Sequence, residues 1–535
     1  MKRLPVRKPK NSTAILLPSL ALFLAWGSLL SFAATAAPRP VVTPSEAKAS
    51  RAFEQARKAG PLTLRAFLFD MPKGADLHNH LSGAVYAESW IRAAGQDGLC
   101  VNEGKLSFEK PMATTRSLPP QPVCGEGNTA ATKAPNNQAL YDALIDAFSM
   151  RSFVPSAGVS GHDHFFDTFG HFSGTSHVHF GEWLDEVATR AALQNEQYLE
   201  LMETPDFSHT IAIAKELGWN PDLPKLRTDL LSKGLRDDVS VASEGMHQAL
   251  ARRNELEKCG TPNASPACQV EIRFLYQVLR GFAPERVFAQ TVLAFEVASA
   301  FPEVVGLNFV MPEDGYLSMK DYRLQMQMLD YLHSVYPKVN IALHAGELAP
   351  GLVPPDGLTF HIRSAVEQGH AQRIGHGVDL IYEEHPYDLL REMAAKHVLV
   401  EVNLTSNDVI LGIKGDEHPL QLYRKYGVPV ALSTDDEGVS RIDLTHEYER
   451  AAMTYPLTYS DLKTIARASL EHSFLPGKSL WDQRDAFTRA APPCASQALG
   501  AFAATGACSS FLQENEKAKQ QWELERRFRV FEAKQ

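Results

Sequence analysis

The chain has 535 residues, 44% of them hydrophobic and 22% charged, with a formal net charge of −10. That length buries one large core with appended segments. An acidic balance with no long basic run beyond the N-terminus excludes nucleic-acid binding through a phosphate-neutralising surface.

Residues 1–36 read as a signal peptide. Lys2, Arg3, Arg7, Lys8 and Lys10 give a basic start, residues 14–33 (AILLPSLALFLAWGSLLSFA) an apolar stretch, and Ala34-Thr35-Ala36 a small-residue cleavage site. An uncleaved membrane anchor is the rival reading, and Pro18, Gly27 and the cleavage site weigh against it. Loss of those five basic residues takes the formal charge from −10 to −15. The expected mature protein is acidic, exported to the periplasm or the cell exterior, and free of stable membrane association. Its six cysteines suit an oxidising space, where sequence neighbours are the expected disulfides: Cys100 with Cys124, Cys259 with Cys268, and Cys494 with Cys508. A cysteine zinc site is the alternative, but no C-x-x-C is present.

Residues 37–70 read as a polar linker and helical lead-in (SEAKASRAFEQARKA). Residues 97–137, rich in Gly, Pro, Thr and Asn, read as an inserted loop subdomain. Apolar β-type runs then alternate with amphipathic helical patterns. The runs are ADLHNHL (75–81), QYLELME (197–203), EIRFLYQVL (271–279), VVGLNFV (304–310), NIALHAG (340–346), RIGHGV (373–378), VLVEVNL (398–404) and PVALSTD (429–435). Eight such runs predict an α/β fold, a closed parallel (β/α)8 barrel over residues 71–475. A doubly wound open sheet is the runner-up, but no Gly-rich phosphate turn follows the first strand. Residues 476–535 form a C-terminal extension ending in a charged, solvated or docking helix.

In such a barrel, functional groups sit at the C-terminal strand ends. Those ends carry His78 and His80, His344 and Glu347, His376, and Ser433-Thr434-Asp435-Asp436. Three neutral imidazoles and a carboxylate suit zinc with a position left for water; iron or nickel is not excluded by ligand type.

The motifs MPKGADLHNHLSGA, HAGE, RIGHG, TSND and STDD, in this order and spacing, resemble the adenosine deaminases. The opening MPKG, the exported N-terminus and the Cys-bearing insertion look like the secreted, growth-factor-related branch. The resemblance covers residues 70–475. It implies that His78, His80, His344 and Asp435 hold one zinc ion, and that Glu347 donates a proton to purine N1. It further implies that His376 orients the bound water and helps deprotonate it, that Asp436 contacts N7, and that Gly83 lies against the nucleoside. The H-x-E…P-C-x-x-C signature of the cytidine-deaminase fold is absent.

Two departures alter the expected pocket. Ser82 stands where adenosine-specific members usually carry an acid that binds the ribose 5′-hydroxyl. Asn308 and Met311 replace a usual Asp and Gly on strand four, while Glu313 and Asp314 remain as expected base contacts. Phe165, Phe166 and Phe169 match a hydrophobic helix over the pocket mouth, or are ordinary helix core. The histidine-rich stretch 161–180 reads as a flexible rim, with a second metal site as the alternative. Ser406 and Asn407 are either supporting hydrogen-bonders or a polar turn, and His418 is one of several histidines without a partner pattern.

The expected activity is deamination of adenosine or deoxyadenosine, a small-molecule purine nucleoside being the partner. The alternatives are another purine or cyclic amidine, or a non-catalytic extracellular binding protein. Oligomeric state is not legible.

Overall fold

The computed structural model describes residues 43–115 and 121–535; the signal-peptide reading lies outside them. Val42–Gln535 form one compact unit. Eight strands pair in chain order: β1 (Gly74–His80), β2 (Glu196–Glu203), β3 (Glu271–Leu279), β4 (Val304–Val310), β5 (Asn340–Ala345), β6 (Arg373–His376), β7 (Leu399–Val402) and β8 (Val430–Leu432). Each lies parallel to the next. The strands are buried along nearly their whole length because helices cover them outside and side chains fill them inside.

The barrel closes where β1 meets the end of β8. His80 N–H donates to the Asp435 carbonyl at 3.0 Å, and Asp435 N–H donates to the His78 carbonyl at 2.9 Å. The buried Asp76 carboxylate reinforces the seam, accepting from His78 N–H at 3.1 Å and from the Thr434 hydroxyl at 2.6 Å. Closure removes both sheet edges. The architecture is a (β/α)8 barrel.

The lead-in is part of this body. Thr43 caps helix Pro44–Ala59 by accepting from Glu46 N–H at 3.1 Å, and a second helix spans Pro61–Asp70. Both helices bury apolar faces, and Phe67 meets Phe531 of the terminal helix Glu516–Lys534 edge-on at 5.2 Å. Lys463 links the two ends of the chain, lying 3.1 Å from Glu46 and 2.6 Å from Glu532. The terminal helix is therefore docked, with Trp522, Phe528 and Phe531 buried.

The insertion is more ordered than a loop. Cys100–Asn102 pairs with Ser107–Glu109 and with Asn128–Ala130, over an apolar cluster that includes Trp90, Phe148, Phe165 and Phe172. Disulfides join Cys100 to Cys124, Cys259 to Cys268 and Cys494 to Cys508, as expected. Among the described residues no helix is long and apolar enough to cross a membrane.

Just before β1, the Lys73 ammonium is fully buried and donates to the carbonyls of Leu68 at 2.7 Å, Met71 at 3.0 Å and Gln194 at 2.6 Å. These carbonyls lie at the ends of two helices, where intrahelical donors run out. Lys73→Met would leave the Met71 and Gln194 carbonyls without this donor, while Leu68 keeps the Met71 N–H at 3.2 Å. It is expected to lower stability by roughly 3 kcal/mol in denaturant unfolding.

Candidate metal centre and active site

The closing seam delivers three of the four expected ligands. His78 and His80, two apart on β1, share one face, and Asp435 follows β8 in the left-handed conformation (φ 60°). His344 ends β5. The four donor atoms converge: His78 Nε2 lies 3.1 Å and His80 Nε2 3.2 Å from His344 Nε2. Both His78 Nε2 and His80 Nε2 lie 3.3 Å from Asp435 Oδ1. Gly375 of β6 makes room for this convergence, since a Cβ there would stand 2.5 Å from the His78 ring.

The outward nitrogens fix the tautomers. His78 Nδ1 donates to Glu401 at 2.6 Å, His80 Nδ1 to Gln277 Oε1 at 2.5 Å, and His344 Nδ1 to Asn308 Oδ1 at 2.9 Å. Gln277 presents its oxygen because its amide nitrogen donates to Thr204. Asn308 presents its oxygen because the same atom accepts His344 N–H. With Nδ1 protonated, the three Nε2 atoms turn bare lone pairs toward one another, which is repulsive unless a cation lies between them. A tetrahedral zinc with bonds of about 2.0–2.1 Å spaces its ligands about 3.3–3.4 Å apart, close to the separations found. The donor set fits zinc.

Buried charge supports the ligands from behind. Glu401 also meets Arg373 at 2.6 Å, Arg373 meets Glu200 at 2.7 Å, and Glu200 accepts from the Tyr198 hydroxyl at 2.8 Å. Burial opposes protonation of His78, but hydrogen bonds to Asp435 and Glu401 outweigh it and push the imidazole up to about 10. That negative environment draws a proton or, in its place, a metal ion.

His376 also stands close enough to join His78, His344 and Asp435 in a metal-binding group. Its hydrogen bonds argue otherwise. The Nδ1 atom faces the amide nitrogens of Asn407 at 3.0 Å and Asn403 at 3.4 Å, so it accepts. The neutral ring therefore carries its proton on Nε2, the opposite tautomer from the ligands. That Nε2 is buried without a protein partner. Burial keeps the ring neutral, at about 3.

Two acids adjoin the cradle. Burial, then the charges of Asp435 and Glu313, push Glu347 well above the usual carboxylate range, so it is a neutral acid. Burial and the adjacent Asp435 raise Asp436 to about 7, and its Oδ1 has no protein partner. Glu313, expected as a base contact, does not line the cavity. It accepts from the amides of Gly346 at 3.0 Å and Glu347 at 2.8 Å and from His361, and so holds the Glu347 turn in place. Burial opposes its ionisation, but His361 and Arg280 hold it at about 2. Ser406 donates to Asp435 Oδ2 at 2.6 Å. Ser406 and Asn407 are thus supporting hydrogen-bonders rather than a mere turn.

A cavity of about 540 Å³ opens above these groups, lined by His80, Ser82, Glu347 and Asp436 among others. No lysine or arginine lines it among the described residues. Helix Gly161–His171 brings Phe165, Phe166 and Phe169 to its mouth, and Phe165 also belongs to the insertion core. The rim is anchored: His162 meets Asp314 at 3.1 Å, so Asp314 is a rim residue. His164 and His171 bond backbone carbonyls, and His179 bonds Asp97; no second metal cluster forms there among the described residues. Met311 holds φ at 88°, the conformation natural to glycine, so the backbone path of the expected Gly is kept despite the side chain.

A profile of the adenosine deaminase family matches residues 186–489, more than half of the chain. The adenosine deaminase of Clostridium perfringens (strain ATCC 13124) is 37% identical over 135 residues, covering 25% of this chain and 37% of that protein; the chain spans little more than a third of its length. The adenine deaminase of Rhizobium leguminosarum bv. trifolii is 26% identical over 284 residues, covering 52% of this chain and 76% of that protein. The crystal structure of an adenine deaminase from Arthrobacter aurescens superposes with a TM-score of 0.49 at 17% identity, covering 78% of this chain and 96% of that one.

Two substitutions test this geometry. A Cβ on Gly83 would fall 1.6 Å from Asp436 Oδ1, so Gly83→Ala must displace that carboxyl. It is expected to lower stability by about 1–3 kcal/mol in denaturant unfolding. Met311→Gly relieves the backbone at φ 88° and should leave stability within about 1 kcal/mol of the parent. Another residue at the same position without glycine's freedom, Met311→Val, should be clearly less stable on denaturant unfolding.

Proposed function

Because the chain belongs to the adenosine deaminase family, we propose that it hydrolyses the C6–amine bond of a neutral 6-aminopurine nucleoside, adenosine or deoxyadenosine, releasing the 6-oxopurine and ammonia. We place it outside the cytoplasm, working with one zinc ion per chain. His78, His80, His344 and Asp435 would hold that ion, which supplies a Lewis acid able to make water a nucleophile near neutral pH.

The observation that carries the reading is the convergence of His78, His80, His344 and Asp435, with the buried Glu347 carboxyl in the same cavity. Addition of the water oxygen at C6 pushes the C6–N1 π pair onto N1, which takes the Glu347 proton; the carboxylate left behind then accepts the added oxygen's protons in turn, passing one to the amine, which leaves as ammonia, and keeping the other. Asp436 faces the cavity with an unpartnered oxygen suited to N7. His376 offers Nε2–H to the incoming oxygen, a donor role that replaces the proton-accepting one expected from the motif. The neutrality of the substrate follows from charge. Among the described residues no lysine or arginine lines the cavity, so a 5′-phosphate would lose its solvent shell without gaining a basic partner. Export is supported by the basic-then-apolar start and by three disulfides.

A second reading keeps the chemistry and changes the substrate to a free or N6-substituted purine; the short, uncharged Ser82 in the cavity lining favours it. A substrate panel on the oxidised, zinc-loaded protein separates the two by ultraviolet absorbance. Adenosine and deoxyadenosine should be consumed, adenosine 5′-phosphate spared, and chelation should abolish turnover. Glu347→Gln is expected to lose about 10²–10⁴-fold in kcat with KM little changed. Protein carrying one zinc per chain that leaves every 6-aminopurine unchanged would refute the enzymatic reading and leave the binding-protein one.

A further inference from the structure

We propose that His418 is a positioning residue: acting through Asn407, it fixes His376 as the Nε2–H tautomer and so makes it a hydrogen-bond donor in the site. The inference rests on the proposed function for its catalytic meaning, though not for its geometry. Neither His418 nor Asn407 lines the cavity.

The direction of every bond follows from one group that can only donate. Leu420 N–H, at the start of helix Leu420–Tyr426, donates to His418 Nδ1 at 3.1 Å. A backbone N–H has no lone pair to offer, so His418 Nδ1 must accept, and the neutral ring carries its proton on Nε2. His418 is 3% exposed, and burial, with the nearby Arg450 guanidinium, keeps it neutral. Its Nε2–H then donates to Asn407 Oδ1 at 3.1 Å.

That bond settles which end of the Asn407 amide is oxygen, a choice that heavy-atom positions alone leave open. With oxygen toward His418, the NH2 group faces His376, donating to Nδ1 at 3.0 Å. Asn403 presents a second amide nitrogen to the same atom at 3.4 Å. A proton on His376 Nδ1 would collide with both. The proton is therefore on Nε2, the atom buried without a protein partner. Four donors point the same way: backbone, His418, Asn407, His376.

Two consequences follow for the site. His376 cannot compete with His80 for a metal ion, because its inner nitrogen carries hydrogen. Nor can Glu347, 3.5 Å from His376 Nδ1, find a donor there to stabilise its ionised form, so its proton stays available.

Ring-nitrogen NMR of the oxidised, zinc-loaded full chain labelled with ¹⁵N-histidine tests this, with His376 assigned from the loss of its signals in His376→Gln. The wild type should show protonated Nε2 and bare Nδ1 at His376 and at His418, opposite to His78, His80 and His344. Asn407→Asp, nearly isosteric, should move the His376 proton to Nδ1. His418→Leu should give mixed tautomers and lose about 10–100-fold in kcat at little changed KM. His418→Gln, which keeps a donor toward Asn407, should restore the single tautomer and most of the rate. Protonated Nδ1 at His376 in the wild type, which needs no variant to fold, would overturn the proposal. An unchanged tautomer in folded His418→Leu would do the same. Correct tautomers without deamination would instead count against the proposed activity.

Discussion

The two backbone hydrogen bonds between His78-Asn79-His80 and Asp435 close the barrel, and they also assemble the donor cradle. A parallel sheet of eight strands needs its first and last members joined, or both edges stand open. Here the joining residues are themselves three of the four metal-binding candidates. Barrel closure and ligand convergence are thus one event. Asp76 ties this to the interior, since its two oxygens hold β1 and the end of β8 together below the ligands.

Strain at the strand ends is held by the same contacts. Met311, His376 and Asp435 all adopt positive φ, at about 1 kcal/mol or more each for a side-chain-bearing residue. Such a backbone persists only where its surroundings over-determine it. Asp435 is gripped by the seam and by Ser406, and His376 by Asn403 and Asn407. Met311 packs over Gly281, where a Cβ would meet its methyl at 2.8 Å. The turned backbone aims the side chain of each residue where a straight strand would not.

All eight barrel strands are legible in the sequence, because continuous Val, Ile and Leu runs between helical patterns leave little else to form. The donor residues are legible because polar, metal-binding groups at the ends of such runs have no structural use. The strands of the insertion are not legible: at two or three residues each they are too short for alternation to show. Glu313 was readable as an acid near a strand end but not as the clamp behind Glu347, since which way a carboxylate turns depends on His361 and Arg280, distant in sequence. His418 lies eleven residues beyond Asn407, and no periodicity joins them. The one available signal was His-Pro ahead of a helix, where an imidazole can meet the first free amides.

One charge distribution shapes both the donor cradle and the acids beside it. Glu401 and Asp435 stay ionised against the ligands and are only partly offset by Arg373, so the floor attracts a divalent cation. Burial beside that charge raises Glu347 and Asp436 instead of ionising them. The same negative floor that makes room for a cation therefore favours the protonated forms of its neighbours. In their protonated forms such acids can donate hydrogen bonds to ring nitrogens, and among the described residues no lysine or arginine lines the cavity to hold an anion. Under the proposed function, selection for an uncharged, nitrogen-rich ring would be a by-product of the charge that holds the metal, leaving other lining residues such as Ser82 and Glu203 to decide what the ring carries.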